Sequence, residues 1–377
     1  MRPFSLATVL GLGSQGVLVL LLFLSASVIH TPQIEAAGHG IVHVDSRVVR
    51  SGDGRTWATA YKQLDEALSK TYTGQIRVAA GIYTPTRTRH RSASFTLKPG
   101  VALYGGFRGG ENRLEQRRIQ ENPTVLSGDI GRLGEVQDNV YHVVTGAHNA
   151  RLDGFIITGG NANGPSRHGK GGGFINDGVN SVIVNCILRD NRAMEGGGAY
   201  YFNESQPWIV NTVFENNRAN KGGGVVLRGL ANAIIEKSAF RSNIAAWRGG
   251  GLFIDYGASP VIRHATIAGN RTSGHGGGLY MDDTNSRIHH TAPTLYDVLF
   301  EENRAGFKGG AAMLFNRVRP HFSYITFKNN RAASGGGAVT AEHQVRARLD
   351  HVTFSGNRST RGEAILDFDA TSSRFEK

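Results

Sequence analysis

Arg228, Asp255 and Asp282 each stand six residues after the first glycine of a Gly-Gly-Gly triplet, at Gly222, Gly249 and Gly276. If the triplets mark equal positions in a repeat, the three side chains become neighbours. Two carboxylates about 5 Å apart can share a proton, act as acid and nucleophile on a glycoside, or bind Ca²⁺. Arg228 beside them would steer an acidic sugar. Alternation along Leu252-Phe253-Ile254-Asp255 turns Leu252 and Ile254 inward and Asp255 outward. The outward column two residues earlier holds Tyr200, Phe253 and Tyr280. A lyase also needs a base and several metal-binding carboxylates. Beyond Asp255 and Asp282-Asp283 the sequence has no such cluster, so simple pairing of the aspartates with Arg228 is the competing reading. The histidines His264, His275 and His289 lack metal-ligand spacing, and no resident metal or cofactor is expected beyond that Ca²⁺ option.

A second set of residues points to binding. Arg192, Arg218, Lys221, Arg248, Arg271, Arg304, Lys308, Arg331, Arg358 and Arg361 fall in seven short segments that precede glycine triplets. Only Glu195 opposes them, so these segments carry +9 of the chain's formal +12. Stacked about 4.8 Å apart, well inside a Debye length of about 8 Å, such charges would form one stripe attractive to a polyanion. Arg suits carboxylate and phosphate through two-point contacts. Trp247 and Phe307 lie in the same segments and offer faces for sugar rings. A solvated row of long side chains is the plainer alternative.

The element that must position both sets is a repeat. Triplets begin at Gly171, Gly196, Gly222, Gly249, Gly276, Gly309 and Gly335, and a decayed one stands at Arg361-Gly362-Glu363. The spacings are near 26, with one of 33 between Gly276 and Gly309 that adds a loop over 284–290. Asn191, Asn217, Asn243, Asn270, Asn303, Asn330 and Asn357 precede the triplets, and each follows a large apolar residue by three positions: Leu188, Phe214, Phe240, Ile267, Phe300, Phe327 and Phe354. Apolar residues alternate with polar ones and no segment is long enough for a helix, so the units are strands. A unit this small cannot bury its own apolar face, but stacked coils bury one another's. The asparagines then form a ladder, each amide bonded to those above and below.

Phe-x-x-Asn, as in Phe300-Glu301-Glu302-Asn303, paired with Gly-Gly-Gly-Ala-Val at 335–339, resembles the repeat of chlamydial polymorphic outer-membrane proteins. It also resembles secreted right-handed β-helix proteins of environmental bacteria. The resemblance implies an all-β, pectin-lyase-like right-handed parallel β-helix solenoid, a fold on which polysaccharide lyases and hydrolases carry their chemistry on such an outer face. The membrane-anchored relatives end in a translocator barrel. This chain closes on Ser373-Arg374-Phe375-Glu376-Lys377, which sets the expectation against self-anchoring.

Around the repeats, residues 1–37 carry Arg2 and an apolar run from Val17 to Leu24, too short to span a bilayer and matching a signal peptide. Residues 41–160 are expected to hold an N-terminal cap and irregular first coils, and 161–377 the regular repeats with a short C-terminal cap. Tyr61, Leu64 and Leu68 trace an amphipathic helix with Thr56 or Thr59 as N-cap, suited to covering raw strand edges. Of 377 residues 51 are Gly but only 10 are Pro, which excludes collagen, and charged residues at 19% are too few for a disordered polyelectrolyte. The single cysteine, Cys186, rules out an internal disulfide and sits at a core position.

The expected protein is exported to a cell surface or secreted, with no membrane span in its mature form. It binds an anionic polysaccharide or bacterial envelope surface through the stripe, and no specific nucleic acid. A polysaccharide lyase or glycoside hydrolase using Asp255 and Asp282 is the second expectation, and a ligand-free structural spacer the third.

Overall fold

The computed structural model describes residues 40–284 and 289–360, together with the backbone of the short strands Ile365–Asp367 and Arg374–Glu376. The expected signal peptide lies outside the described residues.

Every strand pairing among the described residues is parallel, and coil follows coil in the register of the repeat. Val225–Arg228 pairs with Leu252–Asp255, which pairs with Leu279–Asp282, which pairs with Ala312–Phe315. Three sheets result, one of 19 strands, one of 10 and one of 7. The largest receives two segments from most coils, such as Trp208–Val210 and Val213–Glu215. The 10-stranded sheet takes the segment after each triplet, and the 7-stranded sheet the short segment after each ladder asparagine.

The inward residues make a continuous core running from Val44 to Ala347, so the irregular coils of 41–160 and the regular ones share one interior. Cys186 belongs to it, and burial pushes its thiol up to about 12. Phe214 stacks on Phe240 at 5.1 Å, and Phe300, Phe327 and Phe354 stack in turn. Phe354 is only half-buried because its coil lies near the end of the stack.

The corners explain the motif. At the first glycine of a triplet the backbone is left-handed, as at Gly249 with φ +64°, and at the second the chain below is too close for a side chain: a Cβ on Gly250 would lie 2.3 Å from the carbonyl oxygen of Gly277. A second left-handed column stands one residue before each ladder asparagine, at Asp190, Asn216, Ser242, Gly269, Glu302, Asn329 and Gly356.

The helix is present, as α1 (Leu64–Lys70), and buries Leu64, Ala67 and Leu68. It packs against Ile41–Val44 and Phe95–Thr96, the outermost strands of two sheets, which places it over the N-terminal end of the stack. Its N-cap is Gln63 rather than Thr56 or Thr59. Those two threonines hydrogen-bond each other, and Thr59 also donates to Asp53, so they hold the preceding turn instead.

Candidate functional site: an arginine row beside a neutralised charge network

The asparagine ladder forms as expected. Asn217 Oδ1 accepts from the backbone N–H of Asn191 at 3.0 Å and from its Nδ2 at 3.1 Å, and the pattern repeats through Asn243, Asn270, Asn303 and Asn330 to Asn357. The second Nδ2 hydrogen goes to the carbonyl of the large apolar residue one coil back, as from Asn243 to Phe214. Asn191 through Asn330 are completely buried.

A buried asparagine fixes what its neighbours do. The residues on either side are turned outward and form the two walls of a trough along the solenoid axis. Immediately after the ladder, Arg192 pairs with Arg218, Arg218 with Ile244, Ile244 with Arg271, Arg271 with Arg304, Arg304 with Arg331 and Arg331 with Arg358. All six arginines are exposed. None makes a side-chain hydrogen bond or ion pair among the described residues. The trough holds cavities of about 300 Å³, lined by Asp190, Arg192, Asn216, Arg218, Ser242 and Ile244, and about 250 Å³, where Ile244 leads on to Arg271 and Arg304.

The expected single stripe is corrected here. Lys221, Arg248 and Lys308 do not join the row. They stand at the far end of the same segments, in a second column that runs Lys170, Glu195, Lys221, Arg248 and His275. These cations are neutralised: Lys221 by Glu195 at 3.1 Å, Arg248 by Asp282 at 3.4 Å and Lys308 by Glu342 at 2.5 Å. They also cover the outward aromatic column. Lys221 lies over Phe253 and Arg248 over Tyr280, so Tyr200, Val226, Phe253, Tyr280 and Met313 are buried although they point away from the main core. A turn that is uniformly basic in sequence therefore divides, because its two ends face different surroundings. Trp247 and Phe307, at the crest of the turns, remain exposed.

The structure brings Arg228, Asp255 and Asp282 onto three consecutive coils, as the count of six implied. The same count fails further along. Phe315 pairs with Glu342, not Ala341, because Val339 rather than Ala338 aligns with Ala312. Asp255 is 5% exposed and Asp282 7%. Arg228 lies between Glu195 at 3.3 Å and Asp255 at 3.4 Å and stacks over Tyr256. Among the described residues Asp255 Oδ1 has no hydrogen-bond donor. Burial, only partly offset by Arg228, pushes the Asp255 carboxyl up to about 7. Asp282 Oδ1 accepts from Thr284 N at 2.8 Å, from Thr284 Oγ1 and from Asn316 Nδ2. Asp283, fully buried, accepts from Thr291 and His290. Among the described residues no group of three or more His, Cys, Asp or Glu is placed to hold a metal.

Sequence reasoning missed the outer wall of the trough. Its signal was present, since the residue before each ladder asparagine is mostly one that tolerates a left-handed backbone. It also missed the 128–139 loop, which belongs to no repeat.

Coils, corners and core define a right-handed parallel β-helix, and the chain belongs to that family: the profile described as right-handed β-helix region matches residues 98–292, just over half of the chain. The Chlamydia polymorphic membrane protein repeat matches residues 324–342. Among solved structures the chain is similar to the pectate lyase Pel9A, at 12% identity over 90% of this chain and 80% of that one, with a TM-score of 0.46. It is also similar to the catalytic domain of a GH87 α-1,3-glucanase in complex with nigerose, at 10% identity over 84% and 66%, with a TM-score of 0.31. A search of curated proteins gives no match.

Proposed function

We propose that this protein is an exported β-helix that binds an anionic polysaccharide along its arginine row, in an adhesive or structural role at a cell surface. One contrast carries this reading. Lys221, Arg248 and Lys308 from the same turns are neutralised, by Glu195, Asp282 and Glu342, whereas the six row arginines are exposed, in register and without a carboxylate partner among the described residues. These like charges, at strand spacing except where Ile244 separates Arg218 from Arg271, repel one another, and a polyanion lying in the trough relieves that repulsion.

The test is retention on heparin and polygalacturonate columns. The protein is expected to bind at low salt and to elute as salt rises. Substituting Arg218, Arg271 and Arg304 together with Ala should abolish retention, and Asp255→Asn with Asp282→Asn should leave it intact. A wild-type protein that flows through at low salt overturns the binding reading and favours the ligand-free spacer.

A lyase or hydrolase is the second reading, favoured by the Asp255 carboxyl, which sits near neutrality where a general acid or base works best. Release of reducing ends or unsaturated products from acidic polysaccharides, lost in Asp255→Asn, is the outcome that would establish it.

A further inference from the structure

The arginine row does not run off the N-terminal end of the trough. The position that continues it beyond Arg192 is Asn161, its partner in the next coil. Asn161 is buried, and the 128–139 loop covers it. Asn161 Nδ2 donates to the Val136 carbonyl at 2.8 Å, Asn139 Nδ2 donates to the Gly159 carbonyl at 2.7 Å, and Arg91 donates to the carbonyl oxygens of Asn139 and Asn161. These bonds fix the loop across the trough as a wall.

Against that wall lies a cavity of about 290 Å³ lined by Asp129, Asn139, Gly159, Gly160, Asp190 and Arg192. Asp190 and Arg192 also line the next cavity, so the two adjoin. The chemistry changes at this end. Arg192 is the last cation of the row, and the remaining polar side chains present oxygen. Asp129 accepts from Gly134 N–H and keeps free lone pairs. Asn139 Oδ1 is buried with no hydrogen-bond partner among the described residues, an unsatisfied acceptor.

We propose that this cavity takes the terminal sugar of the anionic polysaccharide, so that the protein holds its ligand by a chain end. The inference rests on the binding reading above and adds a direction to it. An internal sugar is linked on both sides and would drive the next unit into the loop. A terminal sugar carries a free hydroxyl where an internal one carries a glycosidic bond, and that hydroxyl donates its one proton to one of the acceptor oxygens that Asp129, Asn139 and Asp190 supply. The charged units that follow lie on Arg192 and the arginines beyond it.

The experiment is a titration of size-fractionated polygalacturonate and heparin with the full protein, reading protein bound per chain at saturation by analytical ultracentrifugation. One protein per chain at every length is expected. Occupancy that grows in proportion to length overturns chain-end capture and leaves the row reading standing, whereas no binding at any length removes both. Asp190→Gly, which keeps the left-handed backbone at φ 56° and deletes the carboxylate, is expected to weaken the shortest bound fraction about tenfold. Lys70→Ala, which removes a cation from α1 outside the trough, is expected to leave that fraction unchanged. The reverse pattern also overturns the proposal.

Discussion

Asn217 accepts two hydrogen bonds from Asn191 through one side-chain oxygen, at 3.0 and 3.1 Å, and donates the same pair onward to Asn243. Each amide is thus both acceptor for the coil before it and donor to the coil after it. Removing one member orphans groups on both sides. In Asn270→Ala, the backbone N–H and Nδ2 of Asn243 lose their acceptor, and the Phe240 carbonyl loses its donor. All are buried, so the expected cost is about 3–5 kcal/mol. Asn357→Ala, at a half-buried position reached by water, should cost about 1–2 kcal/mol. Denaturant midpoints of the two variants check the ordering.

The phenylalanine columns give a parallel gradient. Phe300 is fully buried and stacked on Phe327 at 4.9 Å, so Phe300→Ala should cost roughly 3–5 kcal/mol. Phe354 fills the same column but is half-buried, so Phe354→Ala should cost clearly less. Equal losses would mean that the end of the stack is as well packed as its middle.

Two buried groups give stability opposite slopes with pH. Asp255 titrates near 7 in the fold against 3.8 as the ordinary value, so between these limits the folded state holds the extra proton and stability falls as pH rises. His142, which burial pulls down from 6.5 to about 4, does the reverse: the unfolded state holds the extra proton and stability rises over that range. The slopes oppose each other, which predicts a shallow profile for the wild type. Asp255→Asn should leave a rising profile and stabilise the protein at pH 8 by on the order of 1–3 kcal/mol. Chemical denaturation of both proteins at pH 4, 6 and 8 reads the difference, and parallel profiles would exclude a protonated Asp255.

The parts of this fold that repeat were legible in the sequence, because parallel stacking turns equal positions into vertical neighbours. Periodicity alone placed Asn191 on Asn217 and Arg228 beside Asp255. It failed where the period slips, so that Glu342 rather than Ala341 follows Phe315. It failed again where two ends of one turn meet different surfaces, so that Arg304 has no ion-pair partner among the described residues while Lys308 lies 2.5 Å from Glu342. The α1 cap was visible as an apolar pattern, yet its start at Gln63 was hidden because Thr56 and Thr59 bond elsewhere. The loop closing the trough left no trace, since Asn161 and Val136 are linked by a hydrogen bond that no pattern encodes.

Ile244 interrupts the row between Arg218 and Arg271 and lines both central cavities, so it is the position at which the row can be tested by addition. Ile244→Arg would give seven arginines in unbroken register. If a polyanion lies in the trough, the added cation meets a stretch of ligand that now passes over an apolar side chain. Retention on heparin should strengthen, with the salt dependence of the binding constant steeper by about one in the log–log slope. Ile244→Glu should weaken it by a similar amount, because a carboxylate between two arginines neutralises its neighbours and repels the ligand. The Arg variant will pay a small stability penalty at low salt from like charges on adjacent strands, which shrinks as salt screens them. Unchanged elution for both variants would place the ligand, if one binds, on some other face of the solenoid.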